Sequence, residues 1–292
     1  MSASIEERTI EVGGLTTRYF VAGSGPPLVL LHGDGESAFD WSWTLPALAR
    51  THRVYAPDLP GSGENAKPAA DHSPAFLERF AALFLDAVGV GRVAVVGSSL
   101  GGLVTLRLAL SEPSRVGALV LVAASGLGRA VSLGLSSLVI PGYGDLAINW
   151  AGTRTGATRR ARDRARLLFA RPERAPRAWV SEQYRLARTP GFLAAQLAAL
   201  RAELDPFGQR EVLLEELPHL ATPTLLVWGE RDRILPVSQA REALARLPKG
   251  SIEIIPDCGH LPQVEWPDRF AEVLDRFLQE QEDADPNARE SR

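Results

Sequence analysis

Three short, unbroken apolar runs constrain this chain more than any other feature. They are PPLVLLHG (residues 26–33), RVAVVG (92–97) and GALVLVAAS (117–125). A strand without polar alternation has to be covered on both faces, which is the situation of a central strand in a parallel sheet. Segments of helical spacing lie between these runs. Phe76, Leu77, Phe80, Leu83, Phe84 and Val88 mark one over 74–88, and a second runs over 100–111. Residues 9–23 read as two strands around a Gly13-Gly14 turn, RVYAPD as another strand, and 37–50 as a helix carrying Trp41, Trp43, Leu45 and Leu48. Strands alternating with helices predict an α/β domain with a mostly parallel central sheet flanked by helices.

The alternation stops near Gly126 and resumes with PTLLVWGERD, SQAREALARL, SIEIIPDCGH and PDRFAEVLDRFLQEQ. Residues 127–215 hold few strand signals and many helical ones, such as TRRARDRARLLFA. The chain therefore divides into a core over 1–126 and 216–281, a helical insertion over 127–215, and a polar tail over 282–292 that is expected to be disordered. Charge follows the same boundary. The insertion contains 14 Arg against 8 acidic residues, while the whole chain carries −3, so the remainder carries −9. That near-neutral total excludes a nucleic-acid binder working through bulk charge. The basic insertion reads either as solvated Arg-rich helix faces or as a lid that draws in an anion. Only Lys67 and Lys249 among the 32 basic residues are lysine, a bias of composition with no functional reading.

A single cysteine cannot form an internal disulfide, and no Cys/His cluster has zinc-site spacing, so neither a metal nor a cofactor is expected. No stretch approaches the ~20 apolar residues of a membrane span, and the first residues lack an apolar leader. The expectation is a cytoplasmic protein, a monomer or homo-dimer, acting on a small molecule without membrane insertion.

Gly97-Ser98-Ser99-Leu100-Gly101 matches G-x-S-x-G. The pentapeptide alone is weak, but here it follows a buried strand and opens a helix, the setting of a nucleophile elbow. A sharp turn there holds the serine in a strained conformation above the sheet edge, and glycine two residues to either side leaves it room. The turn also aims the Leu100 N–H at charge developing beside Ser99. Ser98 is a rival, but only Ser99 has glycine at both offsets. A serine needs a base, and the base needs an orienting carboxylate. His260 closes SIEIIPDCGH and Asp232 closes LLVWGERD, both at carboxyl ends of predicted strands, where open α/β sheets gather their ligands. Glu230 is a weaker candidate for the carboxylate. Cys258 reads as a packing residue.

With HGDG at 32–35, GSSLGG at 97–102, GERD at 229–232 and GH at 259–260, the sequence resembles the α/β-hydrolase superfamily, in particular its capped serine hydrolases, over about residues 9–281. The resemblance implies an oxyanion hole from the backbone N–H groups of Asp34 and Leu100, a structural role for His32, and a cap formed by the insertion after the sixth strand. Some relatives draw the acid from the end of the sixth strand; VAASG offers no carboxylate there, which favours Asp232. Ser99 also argues against the Asp-nucleophile dehalogenases and epoxide hydrolases. The implied activity is ester cleavage through an acyl-enzyme on Ser99, His260 and Asp232. Carbon–carbon hydrolysis of ring-fission products, lactonase or perhydrolase chemistry stay open, as does a non-catalytic ligand receptor. The Asp34 side chain either bonds its own loop or reaches the substrate. Phe39, Trp41 or Trp43, Trp150 and Phe192 are expected to give the pocket an apolar, aromatic character.

Overall fold

A computed structural model describes residues 4–67 and 72–284. β1 (Glu6–Val12) and β2 (Leu15–Ala22) form an antiparallel hairpin in full register. Its turn residues Gly13 and Gly14 sit at φ 57° and 84°, a primed turn that suits the strand twist and that L side chains avoid. The parallel part begins with β3 (Pro27–Leu31) and β4 (Arg53–Pro57), and continues through β5 (Val93–Ser98) and β6 (Val116–Val122). Between β3 and β4 the expected single helix is a 3₁₀ turn, Ala38–Trp41, followed by the short helix α1 (Leu45–Leu48). Pro46 explains the break: it lacks the N–H a continuing helix needs, yet it fits the first turn of a new one. α2 (Pro74–Ala87) starts where the Ser73 hydroxyl accepts the Phe76 N–H at 3.3 Å, and α3 (Leu100–Ser111) follows β5 directly.

Five helices then intervene before the sheet resumes. They are α4 (Leu133–Ser137), α5 (Tyr143–Ala151), α6 (Arg154–Leu168), α7 (Arg177–Arg188) and α8 (Phe192–Glu203). A two-residue hairpin of β7 (Leu204–Asp205) and β8 (Gly208–Gln209) closes the segment. β9 (Thr224–Gly229), α9 (Ser238–Leu244), β10 (Gly250–Ile255), α10 (Pro262–Glu265) and α11 (Pro267–Ala284) complete the described chain. The first residues of the predicted tail continue α11, and Glu282 reaches the His52 Nε2 at 3.3 Å. Residues 285–292 lie outside the described ones.

The strand order is β1-β2-β4-β3-β5-β6-β9-β10, with β1 and β2 antiparallel and the other six strands mutually parallel. Alternate residues of the central strands feed two cores. Leu31, Val95, Leu121 and Trp228 pack on one face with Phe84 of α2 and Val104 of α3. Leu30, Val96, Val122 and Val227 pack on the other with Phe270 and Leu274 of α11. The chain leaves β3 toward β4 on one side and β5 toward β6 on the other. The carboxyl ends of β3 and β5 therefore border a crevice, the position in which open sheets bind ligands. Many arginines of the five-helix segment pair with acids, as in Arg159 and Arg166 with Asp163, Arg185 with Glu182, and Arg201 with Asp145.

Asp58, just past β4, ties this edge together. Its carboxylate is fully buried and accepts from the Arg18 Nε at 2.8 Å, the Ala38 N–H at 2.8 Å and the Glu64 N–H at 2.9 Å. Asp58→Ala strands a buried guanidinium and two N–H donors. It should lower stability by about 3–5 kcal/mol, read as a drop in the denaturant midpoint at unchanged slope.

Candidate active site

Ser99 caps α3 at φ 54° and ψ −119°, a strained conformation for a residue with a side chain. Packing enforces it. The Ser99 N–H donates to Val122 O of β6 at 2.9 Å, and its carbonyl accepts from Gly102 and Ser125 at 2.9 and 3.0 Å. Gly101 lies so close to β3 that a Cβ there would sit 2.5 Å from the carbonyls of both Leu31 and His32, and a Cβ on Gly97 would collide with the Gly101 carbonyl. Neither offset tolerates even alanine without moving backbone. Ser98, by contrast, is fully buried in β5, where its hydroxyl accepts from the Gln263 amide at 3.2 Å.

Asp232 and His260 meet on the same edge. The His260 Nδ1–H donates to Asp232 Oδ2 at 2.7 Å, and both side chains are buried. The other carboxylate oxygen accepts the N–H groups of Ile234 at 2.7 Å and Leu235 at 3.1 Å, which fixes the orientation of Asp232. Burial opposes protonation of His260, but the charge and hydrogen bond of Asp232 outweigh it and hold the imidazole above its ordinary value. Ser99 and His260 line one cavity. Glu230 is exposed and accepts from the Asp257 N–H instead. Cys258 is buried, with a thiol pushed far up by burial, so no thiolate is at hand.

The loop after β3 bends over this cavity. His32 is buried; its Nδ1–H donates to Gly33 O at 2.8 Å and its Nε2 accepts the Leu59 N–H at 3.0 Å, so it braces the loop. Burial lowers its pKa, in keeping with a neutral ring. The backbone N–H groups of Asp34 and Leu100 have no hydrogen-bond acceptor among the described residues. Both residues also line a smaller adjoining cavity. The Asp34 side chain reaches the main cavity, where burial and then the charge of Glu203 push its pKa to about 7.

The aromatic positions expected in the pocket lie elsewhere. Trp41 is fully buried against Phe270, with ring centroids 6.1 Å apart, and belongs to the core beneath the sheet. Phe39 packs edge-on against Trp43 at 5.2 Å. Phe192 is buried inside the helical segment under the Arg160 guanidinium, and Trp150 is 52% exposed on α5. Aliphatic side chains form the apolar wall instead, among them Val131, Leu135, Leu167, Leu200 and Ile234.

The sequence reading also missed the charges around the site. Glu36 accepts the Gly33 N–H at 3.1 Å and faces Arg164 at 3.6 Å, while Arg164 donates to Asp34 O at 3.3 Å. Asp40 lies behind them, pushed well above the usual carboxylate range by burial and by Glu36. Glu265 holds the histidine loop to the helical segment: it accepts the N–H groups of Gly259 at 2.7 Å, Ala170 at 3.1 Å and Arg171 at 3.0 Å. The His260 N–H donates to Leu168 O at 2.7 Å, at the end of α6. Each of these acids reads in sequence as an ordinary helix or loop residue, and only the partners reveal it.

The family model described as alpha/beta hydrolase fold matches residues 26–267, and the chain belongs to that family. The chain is 32% identical over 284 residues to a 2-hydroxy-6-oxo-6-(2'-aminophenyl)hexa-2,4-dienoic acid hydrolase of Metapseudomonas resinovorans, covering 95% of this chain and 92% of the relative. Among solved structures, a membrane phospholipase A described as a bacterial virulence factor superposes with a TM-score of 0.79 at 29% identity, covering 95% of this chain and 86% of that one. A serine hydrolase involved in carbazole degradation gives a TM-score of 0.79 at 29% identity, covering 94% and 99%.

Two substitutions separate core from site. Glu265→Ala leaves three N–H groups short of an acceptor; it should cost about 2–4 kcal/mol in urea unfolding and depress turnover by loosening His260. Trp41→Ala should cost about 3–5 kcal/mol while leaving the order of preference among hydrolase substrates unchanged, as expected of a core residue.

Proposed function

We propose that this chain is a serine hydrolase that cleaves a carboxylic ester through an acyl-enzyme, with Ser99 as nucleophile, His260 as base and Asp232 as its orienting acid. One observation carries the reading: a serine strained at the crevice shares a cavity with an imidazole whose far nitrogen is locked on a buried carboxylate. With Nδ1–H donated to Asp232, the Nε2 lone pair is left to take the Ser99 proton as Oγ attacks the carbonyl carbon. The open N–H groups of Asp34 and Leu100 then receive the oxyanion, where losing one such donor typically costs ~10²–10³ in rate. His260 returns the proton to the leaving alcohol and activates the water that frees the acid. Residues 127–215 act as a cap over this chemistry, and the Leu168 and Glu265 bonds make them part of its support. No helix among the described residues is long and apolar enough to cross a membrane. We read the enzyme as cytoplasmic, with a small-molecule substrate.

The 32% identity to a dienoic acid hydrolase favours a second reading, hydrolysis of a carbon–carbon bond by the same residues. A panel of p-nitrophenyl esters, lactones and ring-fission dienoates decides between the two. Ester turnover above dienoate turnover supports the first, and the reverse order supports the second.

Ser99→Ala should abolish turnover and fluorophosphonate labelling while leaving Tm near the parent value; retained hydrolysis removes Ser99 from the mechanism. The base works only unprotonated, so the acid limb of kcat/KM should have its midpoint above the ordinary histidine value of 6.5, since the bond to Asp232 holds the pKa up. Asp232→Asn should lower kcat by ~10⁴ and move that limb to lower pH. An unmoved limb places the acid elsewhere.

A further inference from the structure

The charges that face the cavity are unequally matched. Arg164 is engaged by Glu36 at 3.6 Å and by the Asp34 carbonyl. The Asp34 carboxylate has Gln196 as a hydrogen-bond partner and both Arg164 and Arg160 as charged neighbours. Glu203, at the end of α8, has no such relief. It is 6% exposed and lines the cavity, and no Arg or Lys lies within ion-pair distance of it among the described residues. The Ser125 hydroxyl, beside the Ser99 turn, and His260 are the neighbours that favour its ionised form, while Asp34 is a second acid close enough for the two charges to repel. A carboxylate so placed either takes up a proton or meets a cation supplied from outside.

We infer that Glu203, assisted by Asp34 across the cavity, makes this site selective for substrates that carry an ammonium group on an otherwise aliphatic arm. The inference rests on the reading of the site as an ester-cleaving serine hydrolase and names the substrate class of that site. An ammonium group supplies the missing counter-charge and can donate to both carboxylates, and its alkyl arm lies against Leu135, Leu167 and Leu200. An anionic group in the same place meets two acids, and the nearby Arg164 guanidinium, whose buried Nε has no partner among the described residues, is already paired with Glu36. A neutral alkyl end leaves Glu203 without a counter-charge.

Burial raises Glu203, and burial together with Glu203 brings Asp34 to about 7. Ionised Asp34 therefore becomes more abundant as pH rises through that value, and ionised Glu203 also becomes more abundant as pH rises. Asp34, Glu36, Arg160, Arg164 and His260 are the titratable or charged groups around Glu203. His260 acts on every ester alike, so its titration cancels in a ratio between two substrates.

The test uses three matched p-nitrophenyl esters, 6-aminohexanoyl, heptanoyl and 6-carboxyhexanoyl, with hexyl and 6-aminohexyl butanoate to place the charge on the alcohol arm. In one of the two series the ammonium ester should exceed its neutral match in kcat/KM by about tenfold or more at pH 8, the worth of one charge-assisted hydrogen bond. The 6-carboxyhexanoyl ester should be the poorest of its series. The preference should shrink between pH 8 and pH 6, and should vanish in Glu203→Gln and weaken in Asp34→Asn. Each ratio is read within a single protein, so a partly folded variant does not distort it, and the wild-type ratios are decisive if a variant does not fold. Equal rates for ammonium and neutral esters in both series overturn the inference and leave the ester reading standing, as does a preference that survives both substitutions. Calorimetric titration of the Ser99→Ala protein with hexylamine and hexanoate separates the opposite case. If no ester turns over but hexylamine binds, hexanoate does not, and Glu203→Gln abolishes binding, the ester reading fails and the assignment of Glu203 stands. Absence of hexylamine binding overturns that assignment as well.

Discussion

Everything at the site depends on how closely α3 approaches the end of β3. Gly101 rests against the carbonyls of Leu31 and His32, and Gly97 rests against the Gly101 carbonyl. These contacts go with a sharp turn at Ser99, held at positive φ. The strain at one residue is offset by the packing of two strands and a helix, which would all have to move to relieve it. The same approach puts the β3 loop beside the serine, to the point that a Cβ on Gly33 would lie 2.9 Å from the Ser99 Cβ. The serine proposed as nucleophile and two N–H groups without an acceptor among the described residues are thus positioned by backbone alone.

Buried carboxylates do the remaining positioning. Asp58 ties β2 to the turns on either side of β4, Glu36 closes the β3 loop, Asp232 orients His260, and Glu265 joins the histidine loop to the chain that leaves α6. An ionised oxygen in low dielectric makes strong bonds to N–H groups and tolerates poor geometry badly, so each of these acids fixes a loop more tightly than apolar contact would. The five-helix segment is consequently more than a cover. His260 donates its backbone N–H to the Leu168 carbonyl, and any movement of α6 against the sheet is felt at the imidazole. Seven of the segment's fourteen arginines pair with acids, and of these Arg164 lines the cavity.

The fold was largely legible, because a parallel strand buried on both faces has to be an unbroken apolar run and little else in a soluble chain looks the same. Local chemistry decided the exceptions. Pro46 split the helix expected over 37–50, and the last helix ran past the point where polarity had marked its end. Ser99, Asp232 and His260 could be picked out because each follows its own strand, and strand ends share one edge. The pocket could not. Trp41, Phe192 and Trp150 are large and apolar, but hydrophobicity does not distinguish a side chain that faces the core, the interior of a helical segment, solvent or a cavity.

By itself the sequence determined the layering of the sheet, the turn at Ser99 and the order of the three residues proposed to act together. These follow from periodicity, glycine placement and chain direction, which are local properties. Only the tertiary structure decided which acids are buried, which arginines are already engaged, and that Glu203 faces the cavity with no Arg or Lys paired to it among the described residues. Burial and partnership depend on residues far apart in the chain. Glu203 stands in sequence like any acid at a helix end, until folding sets it against Ser125 and His260, away from water.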